Sequence, residues 1–188
     1  MPHEETPRQE RWGLIQIYTG NGKGKTTAAL GVALRAAAVG RRVAVVAFDK
    51  GGDHYSERTI LAERIPEIEV FPTGLDRIDP ETRTFRFGVT DDDRREGERG
   101  LRIAERLFAE GRHDLIVLDE ANIATTLGIL REEDVLRVLD LRPDDVELIL
   151  TGREAPQSFL ARADLISEIR PTAHYFSRGN IARKGIDY

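Results

Sequence analysis

Three features of the amino-acid sequence predict an α/β fold in which helices cover both faces of a mostly parallel β-sheet. Apolar runs of strand length, such as Val43–Phe48, lack the alternation with polar residues that a half-exposed strand shows, and this is typical of strands buried on both faces. Stretches with helical character separate these runs along the chain. The 188 residues are the size of one domain, and no repeat or linker divides them. We therefore expect one domain over residues 14–188, preceded by a polar segment at 1–13.

Strands and helices are expected to alternate along the whole domain. The expected strands are Leu14–Tyr18, Val43–Phe48, Glu67–Phe71, Leu115–Leu118, Val146–Leu150 and Leu165–Ile169. The expected helices run from about Thr26 to Val39, from about Thr90 to Glu110, over Glu132–Leu139 and over Pro156–Ala163. Gly40 is placed to end the first helix, and Thr90 precedes three aspartates, which is the pattern of a helix N-terminus.

Composition excludes several classes of protein. Acidic residues outnumber basic ones by 33 to 28, and the formal net charge of −5 argues against a broad nucleic-acid-binding surface. The chain has no cysteine, and therefore no disulfide, thiolate zinc site, iron–sulfur cluster or cysteine nucleophile. No apolar run approaches the ~20 residues that span a bilayer, and residues 1–13 lack the apolar core of a signal peptide. We expect a cytoplasmic protein that binds neither membranes nor nucleic acid.

A loop rich in glycine and lysine lies between the first strand and the first helix. Residues 19–27 read TGNGKGKTT, and their end fits the phosphate-loop pattern G-x-x-x-x-G-K-[ST], although Thr19 stands at its first position. Glycines allow such a loop to turn its N–H groups toward phosphate oxygens at the start of a helix. Lys25 would neutralise terminal phosphates, and the Thr26 hydroxyl would bind Mg²⁺. The residues expected to bind nucleotide here are Gly20, Asn21, Gly22, Lys23, Gly24, Lys25, Thr26 and Thr27.

The alternative interpretation of this loop is a glycine-rich turn with incidental lysines. Only four of the 28 basic residues are lysine, and two of them, Lys23 and Lys25, lie in the loop. A third, Lys50, follows the second strand and is expected near the phosphates or the ribose. The order of strand, glycine-rich loop and helix favours nucleotide binding, and with it a P-loop fold of the RecA-like kind.

Two carboxylates follow the fourth strand, as expected for a metal site opposite a phosphate loop. Asp119 and Glu120 come directly after Leu115–Leu118 and would hold Mg²⁺, or Mn²⁺ in its place, together with Thr26. Which of the two carboxylates contacts the ion directly is left open. The alternative interpretation is an exposed acidic turn.

Further motifs accompany the loop in order from residue 13 to the last residue. They are Thr19–Ala29, Phe48–Gly51, Thr73-Gly74, Leu118–Glu120, Thr151–Arg153, Ala163-Asp164, Glu168–Pro171, His174 and Gly185–Tyr188. Phosphate loops are common, but this loop together with a terminal Gly-Ile-Asp-Tyr is specific. In these motifs the chain resembles the ATP:corrinoid adenosyltransferases of the P-loop type.

The resemblance implies that the 5′-deoxyadenosyl group of ATP, the co-substrate, is transferred to the Co(I) ion of a reduced corrinoid in adenosylcobalamin synthesis or salvage, with release of triphosphate. With Lys25 of the phosphate loop, it makes Arg153 a catalytic residue in contact with the nucleotide; the alternative interpretation of Arg153 is a surface arginine. The resemblance also implies that ATP lies in the loop in the orientation opposite to that in ordinary NTPases, so that its C5′ faces cobalt. It also implies a homodimer and an electron donor such as a reduced flavoprotein. Because Co(I) itself attacks C5′, the protein's tasks are alignment and stabilisation of negative charge.

The long segment from Thr73 to Gly88 departs from the family pattern. At ~15 residues it exceeds the usual connection, which favours a binding loop or lid. Well-known members carry Phe-x-Trp after Thr-Gly and press such aromatic side chains against the corrin, whereas this chain continues as Leu75-Asp76-Arg77. Phe85 and Phe87 lie later in the loop and could take over this contact with the corrinoid, or could simply pack the base of the loop.

Two other functions use the same loop. One is an ATPase or kinase that transfers the γ-phosphoryl group, and its products would be ADP and phosphate rather than triphosphate. The other is a nucleotide-binding module without catalysis, which would leave the C-terminal motif unexplained. The polar segment 1–13 would either fold over the bound corrinoid or form a frayed tail.

Overall fold

The computed structural model describes residues 11–77, 81 and 86–187, and every strand pairing in its sheet is parallel. Six strands are hydrogen-bonded in the order β3-β2-β4-β5-β1-β6. The strands are β1 (Ile15–Thr19), β2 (Val43–Ala47), β3 (Ile68–Pro72), β4 (Leu115–Asp119), β5 (Glu147–Thr151) and β6 (Leu165–Glu168). Each end agrees with its predicted position to within one residue. The predicted α/β fold is confirmed.

The helices follow the predicted order, with two additions. They are α1 (Lys25–Ala38), α2 (Ser56–Arg64), α3 (Asp91–Glu110), α4 (Ala121–Thr126), α5 (Glu132–Asp140) and α6 (Gln157–Leu160), and a 3₁₀ turn covers Tyr175–Arg178. The sequence predicts neither α2, which buries only Leu61 and so has no apolar face, nor α4, whose six residues are too few to show a period. The helix predicted at 156–163 is reduced to the four residues of α6.

The core consists of two apolar layers, one on each face of the sheet. On one face, Val46, Ile116 and Leu118 pack against α3, α4 and α5. On the other face, Val45 and Val117 pack against α1 and α2. Every residue of β2, β4 and β5 is buried, which explains why their sequences show no alternation. Burying each valine, leucine or isoleucine side chain of these layers contributes ~1.5–3 kcal/mol, so helices are held on both faces, as predicted.

Helix α3 begins at Thr90, where the sequence predicts a capping residue. The Thr90 hydroxyl accepts the Asp93 N–H at 3.3 Å, and Asp93 Oδ2 accepts the Thr90 N–H at 2.7 Å, which forms a capping box. The Asp93 carboxylate also accepts hydrogen bonds from both terminal nitrogens of Arg86, at 2.9 and 2.7 Å. The helix therefore anchors the end of the long loop, whose described residues contain no helix or strand.

The polar segment predicted at 1–13 lies outside the described residues except for its last three. Of these, Trp12 packs against the guanidinium of Arg41, 4.6 Å from the ring centre, and the Gly13 N–H donates to Glu147 Oε2 at 3.0 Å. Within 11–77, 81 and 86–187, no helix combines the length and apolar character that a membrane crossing requires.

Candidate active site

The phosphate loop connects β1 to α1 at the carboxyl edge of the sheet. Gly20 and Gly24 have φ of 95° and 118°, left-handed conformations that glycine adopts without strain. Gly22 is needed for a different reason. Its N–H donates to the Ile169 carbonyl at 2.7 Å, and a Cβ atom on Gly22 would lie 2.8 Å from that oxygen. The loop is thus packed directly against the backbone that follows β6.

Lys25 is the first residue of α1, and its side chain folds back over the loop. Its Nζ donates to the carbonyl oxygens of Gly20 and Gly22, both at 2.8 Å. Burial lowers the pKa of Lys25, which Glu120 partly opposes and the charge of Arg153 reinforces. An ammonium group held over this loop can exchange carbonyl oxygens for phosphate oxygens, which are stronger acceptors because they are charged.

Asp119 ends β4 and accepts hydrogen bonds from three elements. Its Oδ1 accepts the hydroxyls of Thr26 at 2.9 Å and Thr151 at 2.6 Å. Its Oδ2 accepts Lys50 Nζ at 2.5 Å, and the same ammonium lies 3.0 Å from Thr26 Oγ1. Lys50 therefore places a positive charge between the hydroxyl and the carboxylate that the sequence assigns to a metal ion.

We call Thr26, Lys50, Asp119 and Thr151 the Asp119 cluster. Glu120 lies next to it in a left-handed backbone conformation with φ of 61°. Its N–H donates to Thr151 Oγ1 at 2.9 Å, and its Oε1 lies 3.6 Å from Lys50 Nζ. Burial raises the pKa of Glu120, and Lys50 acts against this shift. Burial alone would lower the pKa of Lys50, but Asp119 and Glu120 outweigh it and raise that pKa.

Non-glycine residues with positive φ concentrate at this edge. Among the described residues they are Asp49, Glu120 and Glu154, with φ of 51°, 61° and 52°, and each lies within three positions of the end of β2, β4 or β5. Such conformations are costly and gather at binding and catalytic sites. The backbone therefore marks the same edge as the side chains do.

Two residues that support Lys50 were missed by the sequence analysis. Arg58, on α2, donates to the carbonyl oxygens of Lys50 at 2.5 Å and of Gly52 at 2.9 Å. The Tyr55 ring lies between the cations, with its centre 5.6 Å from Lys50 Nζ and 4.2 Å from the Arg58 guanidinium. Arg58 lies in a helix that the sequence does not predict and Tyr55 directly precedes that helix, so no pattern indicated either residue.

The other predicted nucleotide ligands lie at the surface of the protein. Asn21, Thr27 and Arg153 are exposed, and Arg153 is near enough to Lys25 for its charge to affect the pKa of that lysine. Lys23 points away from the loop, because its Nζ donates to the Ile186 carbonyl at 2.7 Å. The structure therefore brings Lys25 close to Lys50 and Asp119, and directs the Lys23 side chain to the C-terminal segment.

Only one of the two residues predicted to contact the corrinoid lies in the described part of the structure. Phe85 lies outside the described residues, whereas Phe87 is described and its side chain is 85% exposed. Arg77 stands where well-known relatives carry tryptophan, and it is buried. Its Nε donates to Asp49 Oδ1 at 2.7 Å and its Nη1 donates to the Gly88 carbonyl at 2.9 Å. A buried, ion-paired arginine cannot serve as an aromatic face, so Phe87 is the described aromatic residue that this loop presents.

The oxygens around Asp119 suit a small divalent cation. A hydroxyl from Thr26 and carboxylates from Asp119 and Glu120 are the ligand types that Mg²⁺ takes, with phosphate oxygens and water completing its shell. Among the residues described, no group of three or more His, Cys, Asp or Glu side chains forms a metal site by itself. The donor set therefore fits a cation that arrives with a nucleotide.

Comparison with known proteins identifies the family. Residues 11–188 match the model of the family described as ATP:corrinoid adenosyltransferase BtuR/CobO/CobP. The chain is 37% identical over 180 residues to a corrinoid adenosyltransferase of Escherichia coli K12, covering 96% of this chain and 88% of that protein. It is also 32% identical over 181 residues to a corrinoid adenosyltransferase of Pseudomonas aeruginosa, covering 96% of this chain and 86% of the relative.

A solved structure supports the fold alone. An ATP synthase subunit of Nanoarcheaum equitans superposes with a TM-score of 0.51 at 14% identity over 92% of this chain, and the match spans 50% of that subunit. The sequence relatives confirm the resemblance inferred from the motifs and give no support to a kinase or to a binding module. The chain therefore belongs to the ATP:corrinoid adenosyltransferase family, and it is an enzyme that transfers the adenosyl group of ATP to a corrinoid.

Proposed function

We propose that the phosphate loop holds the triphosphate of ATP as a leaving group, with Lys25 as its main cationic ligand and Arg153 as a second one. The observation that carries this proposal is the position of Lys25 Nζ, 2.8 Å from two carbonyl oxygens at the mouth of the loop. A phosphate chain in the loop would replace those carbonyls. The loop N–H groups other than that of Gly22, which donates to the Ile169 carbonyl, and the positive end of α1 would then face the same anion.

The reaction needs no nucleophile from the protein, because the cobalt of the substrate supplies it. Co(I) attacks C5′ of ATP, a Co–C bond forms, the C5′–O bond breaks, and its electron pair leaves with triphosphate. The rate then depends on alignment and on stabilising the charge of the leaving group. We assign the second task to Lys25, Arg153 and the loop amides, and we propose that ATP lies with its triphosphate in the loop and its C5′ directed outward.

A magnesium ion, or a manganese ion in its place, completes this proposal. Thr26, Asp119 and Glu120 would hold it, and when bound it neutralises phosphate oxygens. Lys50 now occupies the region between Thr26 and Asp119, and we propose that it turns toward the phosphates or the ribose when the ion arrives. The carboxylates of Asp119 and Glu120 outweigh burial and keep Lys50 charged, so it can serve either position.

We propose that the long loop forms the corrinoid-binding side of the site. Phe87, together with Phe85, would contact the corrin ring and remove an axial ligand of Co(II), which makes the ion easier to reduce. A reduced flavoprotein would donate the electron. We further propose a homodimer that acts in the cytoplasm, where ATP is at hand.

The products of the reaction test this proposal. The protein is incubated with MgATP and chemically reduced cob(I)alamin, and formation of the Co–C bond is followed by its visible spectrum while the phosphate products are separated by ion exchange. We expect adenosylcobalamin and inorganic triphosphate in equal amounts. Release of ADP and phosphate instead would contradict the proposed role of the loop, even if some adenosylation occurred.

A further inference from the structure

The C-terminal segment of the chain contacts the outer side of the phosphate loop. Lys23 lies between two loop glycines, yet its ammonium leaves the loop. It donates to the Ile186 carbonyl at 2.7 Å and lies 2.8 Å from Asp187 Oδ1. These contacts tie the middle of the loop to the terminal Gly-Ile-Asp-Tyr motif, to which the adenosyl-transfer chemistry assigns no role.

Asp187 is built to hold this lysine. Its Oδ1 accepts the Tyr175 hydroxyl, and its Oδ2 accepts the N–H of Arg183 at 2.9 Å and Arg183 Nε at 3.3 Å. The Arg183 guanidinium also lies 4.7 Å from the centre of the Tyr175 ring. The Asp187 side chain is only 11% exposed, and Lys23 together with these donors holds its pKa well below its usual range. A carboxylate with four donors is fixed in place and stays ionised.

A second link on the same side makes the contact continuous. The Gly22 N–H donates to the Ile169 carbonyl at 2.7 Å, so that amide is engaged by the protein itself. A Cβ atom on Gly20 would lie 2.5 Å from the same carbonyl oxygen. The loop therefore contacts the chain after β6 through its backbone at Gly20 and Gly22 and through the ion pair at Lys23, whereas Lys25 Nζ donates to carbonyl oxygens of the loop itself.

We propose that Asp187 is a positioning residue for the phosphate loop, and that it acts through Lys23. The Lys23 ammonium then does not contact the triphosphate but fixes the loop in the shape that receives it. The backbone N–H is the one group of Lys23 that faces the anion. A loop ordered in advance loses less conformational freedom on binding, which increases affinity without any new contact to the ligand. The inference depends on the proposed binding of triphosphate in this loop.

The sign of the effect separates this role from the alternative, in which Lys23 is a phosphate ligand that Asp187 restrains. If Lys23 bound phosphate, Asp187→Asn would release it and strengthen triphosphate binding, while Lys23→Met would weaken binding. If Lys23 positions the loop, both substitutions remove the same ion pair and both weaken binding. The double variant would then bind about as well as either single variant, because one interaction cannot be lost twice.

Titration calorimetry with inorganic triphosphate and Mg²⁺ measures this directly. We expect Lys23→Met and Asp187→Asn each to raise Kd by about fivefold, within the range for residues of one hydrogen-bonded network, and the double variant to match them. Lys23→Arg should restore most of the affinity because it keeps the charge. Lys184→Met, an exposed lysine of the same segment, is the matched control and should bind like the wild type.

Hydrogen exchange of the nucleotide-free protein gives a readout independent of binding. Lys23→Met should lower the protection of residues 175–187 and leave the strands of the sheet unchanged, which also shows that the variant is folded. Tighter binding by Asp187→Asn, unchanged binding in both single variants, or additive losses in the double variant would overturn the inference. Wild-type protein that fails to bind triphosphate would overturn the proposed function as well, so the two failures are distinguishable.

Discussion

Three lysines near the phosphate loop have three different partners. Lys25 donates to the carbonyl oxygens of the loop, Lys50 donates to Asp119, and Lys23 donates to the C-terminal segment. In a chain where 24 of the 28 basic residues are arginine, each site uses the compact ammonium group, which fits between closely spaced oxygens better than a planar guanidinium does. Lys184, the fourth, is exposed. The scarcity of lysine thus marks the site, but it does not reveal what each lysine contacts.

Lys25→Ala should abolish adenosyl transfer and leave the fold intact. The substitution removes the ammonium proposed to stabilise the leaving triphosphate, and loss of one such charge stabiliser costs roughly 10²–10³-fold in rate. The measurement is kcat/KM with pre-reduced cob(I)alamin, with circular dichroism as the check on folding and Lys184→Ala as the control. Near-normal turnover would refute the role of Lys25.

Lys50→Met should strengthen the binding of a divalent cation to the nucleotide-free protein. The ammonium lies 2.5 Å from Asp119 Oδ2 and 3.0 Å from Thr26 Oγ1, so it competes for the ligands proposed for the metal. Without it, we expect the Kd for Mn²⁺ to fall by roughly an order of magnitude, because a unit charge at this distance no longer opposes the ion. Electron paramagnetic resonance of free Mn²⁺ measures the change. Equal or weaker binding would show that Lys50 does not compete with the metal.

At the scale of elements, Asp93 at the N-terminus of α3, which binds Arg86 of the long loop, makes the free energy of unfolding depend on pH. Asp93 is buried, and the hydrogen bonds from Arg86, followed by those from Thr90, hold its pKa well below its usual range. A carboxyl whose pKa is depressed by folding stabilises the protein above its unfolded pKa of ~3.9, and this stabilisation is lost as pH falls, since the unfolded chain takes up the proton first.

The prediction concerns the pH dependence of the free energy of unfolding, measured with urea. Between about pH 6 and pH 3, Asp93→Asn should lose less stability than the wild type, so that the difference between the two proteins shrinks as pH falls. Asp91→Asn, whose side chain is 85% exposed in the same helical turn, is the control and should follow the wild type. A difference that stays constant with pH would exclude this titration.

Gly100 lets α3 approach β2 at one point. A Cβ atom there would lie 2.5 Å from Phe48 Cε1 and 3.0 Å from Thr73 Oγ1. We expect Gly100→Ala to lower the free energy of unfolding by ~1–3 kcal/mol through overpacking. Gly31→Ala in α1 is the matched control: a Cβ on Gly31 meets no atom within 4 Å, and the higher helix propensity of alanine should stabilise by up to ~1 kcal/mol. Opposite signs in urea denaturation would confirm the packing argument, and equal signs would contradict it.

At the scale of the whole molecule, we expect the proposed nucleotide and corrinoid contacts to affect different steps of the reaction. Phe87 lies on the long loop, and its exposed side chain is proposed to act on cobalt reduction. Phe87→Ala should therefore slow adenosylation that starts from Co(II) by roughly tenfold or more while changing the rate from pre-reduced Co(I) much less, since alignment of ATP is untouched. Equal, small effects on both rates would return Phe87 to loop packing.

Much of the architecture follows from local sequence patterns. Continuous apolar runs predicted β2 and β4, because strands covered on both faces need no polar side, and apolar stretches interrupted by a polar residue predicted the other four strands. Placing Lys25, Thr26 and Asp119 at one edge follows from topology alone, since the carboxyl ends of parallel strands meet there. Helices α2 and α4 were not predicted, because α2 has no apolar face and α4 is too short to show a period.

By itself, then, the sequence determined the fold class, the phosphate loop and the family of this protein, since each depends on neighbouring residues or on the order of motifs. Only the tertiary structure decided the partners of the charged side chains. Lys50 meets Asp119, Arg77 is buried on Asp49, and Lys23 meets Asp187. These pairs are remote along the chain, and they are brought together by strand crossovers and by the return of the C-terminal segment to the loop. Local patterns carry no information about which distant charge will lie a few ångströms away.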